Sequence, residues 1–373
     1  MKTPTPTPTL YLAIELSLKT WKLGFSTSHQ AKPRIVSIPA REMGRLFSEI
    51  GKAKQKFALP EDAPVRSVYE AGRDGFWIHR ILENRGIENL VVDPGSIEQS
   101  KRKRAKTDGL DVRMLLNRLL RWEEGDRHVW AVARAPSAHS EGERVNAREW
   151  KDLQKNKSRT LARVRSVLIR YGIVLDRIHP GKLREELPTL RGPCDTRLPK
   201  EEQRALCRML DRLELLMEQI KELEQERKER LENPQSDTEH KAAKLMRFKG
   251  VGAVSAEGLA AEFFFRDFRN RRQVGAAAGL TGTPYASGET SRETGISKQG
   301  NKRVRTLMVE LAWLWLRYQP DSSLSRWYME RFGGGTSRQR RIGIVALARK
   351  LLVALWKYLE RDEIPGGAVL MAV

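Results

Sequence analysis

Four acidic residues stand where such residues are costly or tellingly spaced. Glu15 lies inside the apolar run LAIELS, and Glu70 lies at the end of a second apolar run, SVYEAG. Asp108 and Asp111 are three apart at the start of a helical pattern, so they share one face. A carboxylate in an apolar strand costs several kcal/mol unless it is paired or bound to a metal. Gathered together, four carboxylates suit hard divalent cations, and two ions roughly 3.5–4 Å apart activate an attacking oxygen and stabilise a leaving one. Each acid alone has a plainer reading, Asp108 as a helix cap and Glu70 as a strand-end residue near solvent. Their order along the chain, beside a basic tract, is what points to metal-assisted chemistry on a charged substrate.

That tract is KRKRAK, residues 101–106, which sets Lys101, Arg102, Lys103, Arg104 and Lys106 just before the Asp pair. The 373 residues include 69 Lys+Arg against 47 Asp+Glu, a formal net charge of +22. A surplus this large favours a polyanionic partner, because Lys and Arg neutralise phosphates and release counterions. It favours nucleic acid over an anionic membrane or a merely basic soluble protein. The two cysteines, Cys194 and Cys207, lack CxxC spacing and the six histidines are scattered, which suggests neither a zinc site nor a disulfide framework. A reducing cytoplasm fits. Residues 1–9 alternate Thr and Pro without an apolar stretch, and read as a disordered lead rather than a signal peptide. No run is long enough to span a membrane.

Several elements must position these groups. Residues 10–16, 21–27 and 34–39 read as a three-stranded meander, residues 41–57 as a helix and 65–71 as a buried strand. Residues 73–85 read as a helix with Phe76, Ile81 and Leu82 inward, and 89–94 as a strand stopped by Pro94. Strands followed by strand–helix–strand imply a mixed sheet with helices on its faces, an α/β domain. Asp108 to Leu120 reads as an amphipathic helix. Residues 140–235 are helical and highly charged, with Leu206, Leu213 and Ile220 at seven-residue spacing and Met209, Leu216 and Leu223 three residues after each. Such a seam fits an intramolecular helical hairpin and a dimerisation coiled coil equally. Residues 241–373 read as mainly helical, interrupted by a Gly/Ser/Thr-rich stretch over 279–300.

The run AKTDGLDVRML (105–115) resembles the K-T-D-x-x-D-A-R-x-L motif of the insertion sequence 110 family of DEDD transposases. YLAIELSLKTWKLGF (11–25) resembles that family's first-strand motif, where an Asp normally stands at the position of Glu15. SVYEAGRDGFWIHRIL (67–82) resembles its Glu-bearing strand and the following helix. Further on, FKGVG (248–252), QVGAAAGLTG (273–282), YASG (285–288) and SKQGNKRVR (297–305) resemble the family's second domain. The likeness covers nearly the whole chain in the same order.

The resemblance implies an RNase H-like, RuvC-like domain over 10–132, whose Glu15, Glu70, Asp108 and Asp111 bind Mg²⁺, two ions to a site. A helical coiled-coil domain over 133–240 and a C-terminal transposase domain over 241–373 would follow. It implies that Ser287 attacks a DNA phosphodiester to form a phosphoserine. The acids and the serine would come from different protomers of a homo-oligomer, a dimer or a dimer of dimers. A structured guide (bridge) RNA would pair with target and donor DNA. It also implies a bacterial cytoplasmic protein working on the nucleoid.

From the residues alone, Ser287 lies in a flexible, Gly-rich, basic loop and reads as a turn residue, with Ser291 and Ser297 as fallback nucleophiles. A serine hydroxyl needs a base or a metal to lose its proton. The last histidine is His240, so a Ser–His pair is disfavoured. Phe248 to Gly252 reads as a helix-hairpin-helix turn in which Lys249, Gly250 and Gly252 approach a phosphate, or as an ordinary turn. Lys298, Lys302, Arg303 and Arg305 form a basic face beside the serine, and Arg338, Arg340 and Arg341 another, both candidates for phosphate contacts. Two alternatives remain open: a RuvC-like endonuclease that uses water, and a nucleic-acid-binding scaffold without catalysis.

Overall fold

The computed structural model describes residues 8–97, 108–287 and 290–371, with side chains at all of these except 108–109, 194 and 283–294. The basic tract over 101–106 and most of the Thr/Pro lead fall outside them. The chain divides into two compact units, residues 1–136 and 137–373.

The first unit is α/β. Its elements are β1 (Leu10–Glu15), β2 (Thr20–Ser26), β3 (Arg34–Pro39), α1 (Met43–Lys56), β4 (Val65–Glu70), α2 (Trp77–Asn84), β5 (Glu88–Val92) and α3 (Asp108–Glu123). The sheet order is β3-β2-β1-β4-β5, with β1, β2 and β3 antiparallel to their neighbours and β1, β4 and β5 parallel. Alternation along β1 sorts the core. Leu10, Leu12 and Ile14 face one way, with Leu46 and Ile50 of α1 and Ile78 and Leu82 of α2. Ala13 faces the other way, with Val68, under Val112, Leu115, Leu116 and Leu119 of α3. Gly24 permits the close fit of α3, since a Cβ there would stand 3.2 Å from Val112 Cγ2.

One outer strand is partly covered, and the other ends on a proline. Beyond β5, Val92 bridges Val132, with Asp93 N–H donating to the Ala131 carbonyl (2.9 Å) and Ala133 N–H to the Val91 carbonyl (2.7 Å). β3, at the opposite edge, is six residues long and ends on Pro39. The helix expected over 73–85 begins only at Trp77, because the preceding glycine-containing segment turns, with Tyr69 Oη donating to the Gly75 carbonyl (3.0 Å). Its buried pair is Ile78 and Leu82, while Phe76 and Ile81 are half-buried.

The second unit contains α4 (Ala138–Ile169), α5 (Pro180–Glu186), α6 (Lys200–Glu232), α7 (Asp237–Met246), α8 (Ala253–Leu259), α9 (Arg271–Ala277), β6 (Gly282–Ser287), β7 (Thr290–Ile296), α10 (Lys302–Tyr318), α11 (Ser323–Tyr328) and α12 (Ser337–Arg361). One π-turn, Ala260–Phe264, continues α8, and another, Met329–Gly333, continues α11. α4 and α6 lie antiparallel: Trp150 Nε1 donates to Glu224 (2.9 Å), and Arg170 pairs with Glu202 (2.9 Å) at the other end. Of the two pairings the heptad stripe allows, the chain makes the intramolecular one. Leu206, Leu213 and Ile220 are buried as the spacing predicts, but Leu210 is buried rather than Met209, and Leu216 and Leu223 are half-buried. The stripe widens because Leu206 and Leu210 also pack on the 171–198 connection, through Ile173, Leu183, Leu187 and Leu198.

The hairpin of α4 and α6 is tied to α8 and its π-turn by charged groups. Arg227 (2.7 Å) and Arg230 (2.8 Å) both hold Glu257, and Arg148 grips Glu262 through two bonds of 2.6 and 2.9 Å. Arg144 Nε donates to the Ala261 carbonyl (3.0 Å). α10 and α12 build the core of this unit, where Phe248 meets Trp315 and Tyr358 with ring centroids 5.4 and 4.6 Å apart. The stretch over 279–300 is not simply a loop. β6 and β7 form an antiparallel hairpin, and Ser287 is the last residue of β6, paired with Thr290. Thr, Tyr and Ser suit a pleated strand, and the flanking glycines hide that signal in the sequence.

Candidate active site and nucleic-acid interface

Glu15 ends β1 and Glu70 ends β4. The two strands are parallel and paired from Leu10 with Val65 through Ile14 with Tyr69, so Glu15 and Glu70 are next in the ladder, side by side. They share the parity of Ala13 and Val68, which lie under α3. Both half-buried carboxylates therefore rise from the α3 side of the sheet. Glu15 also stands opposite Lys22 of β2.

α3 runs against the direction of these strands. Its last residue, Glu123, pairs with Arg66 near the start of β4, so its first turn lies toward the strand ends. From Asp111 to Glu123 the helix rises about 18 Å, while the strand from Arg66 to Glu70 advances about 13 Å. Asp111, half-buried, thus comes about 5 Å beyond the ends of β1 and β4. Position 108 is one turn earlier, on the stripe of Val112 and Leu115. The far corner is fixed by polar contacts. Burial weakens the Arg66 charge, but Glu123 and Glu88 (2.9 Å) outweigh it and hold the guanidinium above its ordinary pKa. Burial, then Glu123, pushes the Tyr11 hydroxyl up.

Among the described residues, no three His, Cys, Asp or Glu side chains are grouped closely enough to hold a metal ion. The side chain at 108 is not among them. The donor chemistry nevertheless fits Mg²⁺: the set offers carboxylate oxygens alone, brought to one end of the sheet by register and helix direction.

In the second unit, Ser287 lies at the end of β6, Ser291 is opposite Ala286, and Ser297 follows β7 with its N–H on the Thr281 carbonyl (2.8 Å). The hairpin stands on a tight crossing. Gly300 has φ +98°, and a Cβ there would lie 2.3 Å from the Ala277 carbonyl oxygen, which accepts from Asn301 N–H (2.8 Å). Asn301 then caps α10 through Oδ1 and donates to the Glu262 carbonyl (3.1 Å).

The expected phosphate contacts are placed unequally. Lys298, Lys302 and Arg303 are exposed, the last two in the first turn of α10, where cations oppose the helix dipole. Arg305 is half-buried and holds the crossing, with one nitrogen donating to the carbonyls of Lys298 (3.0 Å) and Ala278 (3.3 Å). Residues 248–252 do turn between α7 and α8. Gly250 has φ +95°, and a Cβ there would lie 2.9 Å from Tyr318 Cβ. The turn is partly engaged within the fold, since Lys249 N–H donates to the Val369 carbonyl (3.2 Å) and Val251 N–H to the Phe248 carbonyl (3.0 Å). The Lys249 side chain and Gly252 are exposed.

Sequence reasoning missed a concave surface of about 1380 Å³ beside the root of the hairpin. Arg338 and Arg341 line it, as expected of a basic face, but so do Arg349, Lys350 and Lys357 farther along α12. Arg271 and Arg272 of α9 and Lys298 complete its cationic lining. The recurrence of cations along one face of α12 was a usable signal. The α9 pair carried none, because it lies 66 residues before Arg338. Arg340 lies apart, its Nε on the Gly335 carbonyl (3.0 Å).

Residues 242–326 match the family described as Transposase IS116/IS110/IS902 family. The chain is 38% identical over 373 residues to y4rJ of Sinorhizobium fredii, whose given name places it among transposases, covering 97% of this chain and 94% of that one. It is 30% identical over 211 residues to the transposase for insertion sequence element IS1328 of Yersinia enterocolitica, covering 52% of this chain and 60% of that one. A third relative, the transposase for insertion sequence element IS1111A of Coxiella burnetii, is 28% identical over 217 residues, 57% of this chain and 56% of that one.

Proposed function

This chain belongs to the Transposase IS116/IS110/IS902 family, and from that premise we propose that it moves an insertion sequence by metal-assisted serine recombination under RNA guidance. As a transposase it breaks and rejoins DNA strands. The observation that carries the finer reading is the register of β1 and β4, which sets Glu15 beside Glu70 at the end toward which the first turn of α3 points. The strand order β3-β2-β1-β4-β5 supports an RNase H-like domain.

Glu15, Glu70, Asp108 and Asp111 would hold two Mg²⁺ ions. When bound, the ions supply positive charge at the reacting phosphate and ease loss of the serine proton. The remaining steps belong to the chain. Ser287 Oγ attacks phosphorus and its proton departs. A bond from Oγ to phosphorus forms as the bond to one sugar oxygen breaks, and that oxygen takes up a proton. One phosphodiester replaces another, so rejoining to a second DNA end needs no external energy source. Lys298, Lys302 and Arg303 hold the DNA backbone beside the hairpin. In the composite arrangement implied by the family likeness, the acids of one copy serve the serine of another. Base pairing by a guide RNA selects the DNA, so the protein needs few base-reading side chains.

The test is a denaturing gel of the protein with labelled element-end DNA, Mg²⁺ and RNA transcribed from the element's flanks. A detergent-resistant protein–DNA adduct is expected, and it disappears with Ser287→Ala and with Asp108→Ala. Cleavage without an adduct, unaffected by Ser287→Ala, means a water-using nuclease instead. Binding that ignores both Mg²⁺ and the acids means a scaffold.

A further inference from the structure

The concave surface beside the serine hairpin combines two features that are costly together. Its long wall is α12, where Arg338, Arg341, Arg349, Lys350 and Lys357 share one face. Arg271, Arg272 and Lys298 add cations from α9 and the end of the hairpin, and no carboxylate lines it among the described residues. Of these eight, only Lys357 has a counter-ion among the described residues, Glu363 at 2.6 Å. Like charges held in one concavity repel, so the surface favours a polyanion.

Its floor, however, is apolar. Leu324, Trp327, Ile342, Val345 and Val353 line it, and Ile342 is 56% exposed. The Lys350 ammonium lies 4.5 Å from the Trp327 ring centroid, so an aromatic face and a cation stand together. A duplex would meet the cations but leave this floor against sugar and water, because its base faces are stacked inside. An acidic peptide would satisfy the charge but offers no row of flat faces. A nucleic-acid strand with unpaired bases supplies both, phosphates for the wall and bases for the floor.

We propose that this groove holds an unpaired nucleic-acid strand, with its backbone along α12 and its bases on Trp327 and the neighbouring aliphatic side chains. The assignment rests on the reading of the chain as a nucleic-acid enzyme, but it concerns a strand other than the reacting phosphodiester. Gly282 lines the groove, and Ser287 lies five residues farther along β6, about 16 Å away at strand spacing. A single-stranded RNA and a displaced DNA strand present the same chemistry, and the experiment separates them.

The full-length protein is titrated in EDTA with fluorescent 20-nucleotide probes: DNA, RNA of the same sequence, the DNA duplex, and an abasic DNA strand. Without metal the readout is binding alone, so failure of the acid–serine chemistry leaves it untouched. Trp327→Ala weakens binding of the unpaired probes on the order of tenfold and leaves the duplex and abasic strand unchanged. Ile342→Glu, at an exposed position that folding does not need, weakens the unpaired probes likewise. The double substitution Arg349→Ala, Lys350→Ala lowers the slope of log affinity against log salt by about 1.4, the effect of two lost single-strand phosphate contacts. Tighter binding of RNA assigns the groove to RNA, and tighter binding of DNA assigns it to a displaced strand. Equal losses for duplex and unpaired probes, or no loss with Ile342→Glu, would overturn the proposal.

Discussion

Replacing Gly300 with Ala tests whether the crossing beneath the hairpin fixes the serine strand. The new Cβ would lie 2.3 Å from the Ala277 carbonyl oxygen and 2.8 Å from its carbon, both backbone atoms, so no side chain can rotate away. The residue would also keep φ near +98°, which costs an L-residue about 1–2 kcal/mol. Moving the Ala277 carbonyl weakens the bond it accepts from Asn301 N–H, about 1 kcal/mol more. A loss of about 2–3 kcal/mol follows. For a unit of this size each kcal/mol lowers Tm by about 2–4 °C, which gives a fall of about 4–12 °C. Calorimetry resolves that, with Gly142→Ala as control, since a Cβ at Gly142, in the second turn of α4, meets nothing within 4 Å. Adduct formation measured well below the new Tm should fall further, because Ser297, Lys298 and the root of β7 shift with the crossing. If Gly300→Ala melts within 1–2 °C of the control, the crossing is not the constraint described here.

Three other perturbations have defined outcomes. Glu15→Asp would shorten one arm of the proposed metal site by a methylene; on the reading that the backbone compensates for the longer Glu, Mg²⁺-dependent cleavage should be equal or lower, and a large rise would mean that Glu15 impairs the natural site. Burial would raise the Glu262 pKa, but the Arg148 bond and the charges of Arg148, Arg303 and Arg144 outweigh it and hold it below the ordinary 4.5. Its contribution to stability is therefore complete above about pH 4.5 and fades as pH falls toward the lower folded value. Arg148→Met removes the main cause that lowers this pKa, so the variant should lose less stability than the parent on acidification in urea midpoints measured between about pH 3 and 7, and superimposable profiles would show that the pair is not coupled to folding. Leu213→Ala, at a side chain with no exposed surface in the α4–α6 hairpin, should cost 2–5 kcal/mol. A loss under 1 kcal/mol by denaturant titration would mean that the hairpin contributes little there.

The sequence made some of this fold readable, for physical reasons. LYLAIE and VRSVYE each read as a short buried strand, because one face packs on α1 and α2 and the other on α3, so strand ends and the acids at them could be located. The β6–β7 hairpin was hidden, because its glycines and hydroxyl residues have the composition of a loop, and only pairing across the turn distinguishes them. The heptad stripe located α6 but could not name its partner, since one apolar stripe serves a partner helix from either chain. The cationic groove was legible only along α12. Its other wall arrives from α9 and the hairpin through tertiary folding, which no local pattern records. Arg305 reads like its basic neighbours in sequence, yet its guanidinium faces backbone carbonyls.

The edges of the five-stranded sheet bear on how copies of this protein meet. An open strand edge is a template on which another chain can extend the ladder, a route to aggregation as much as to assembly. Residues 131–133 cover the end of the β5 edge, and the β3 edge ends on Pro39, which has no N–H to donate. The covered end of β5 and the Pro39 end of β3 leave less free backbone for such pairing. Contact between copies then rests more on side-chain surfaces, whose fit can be specific and reversible.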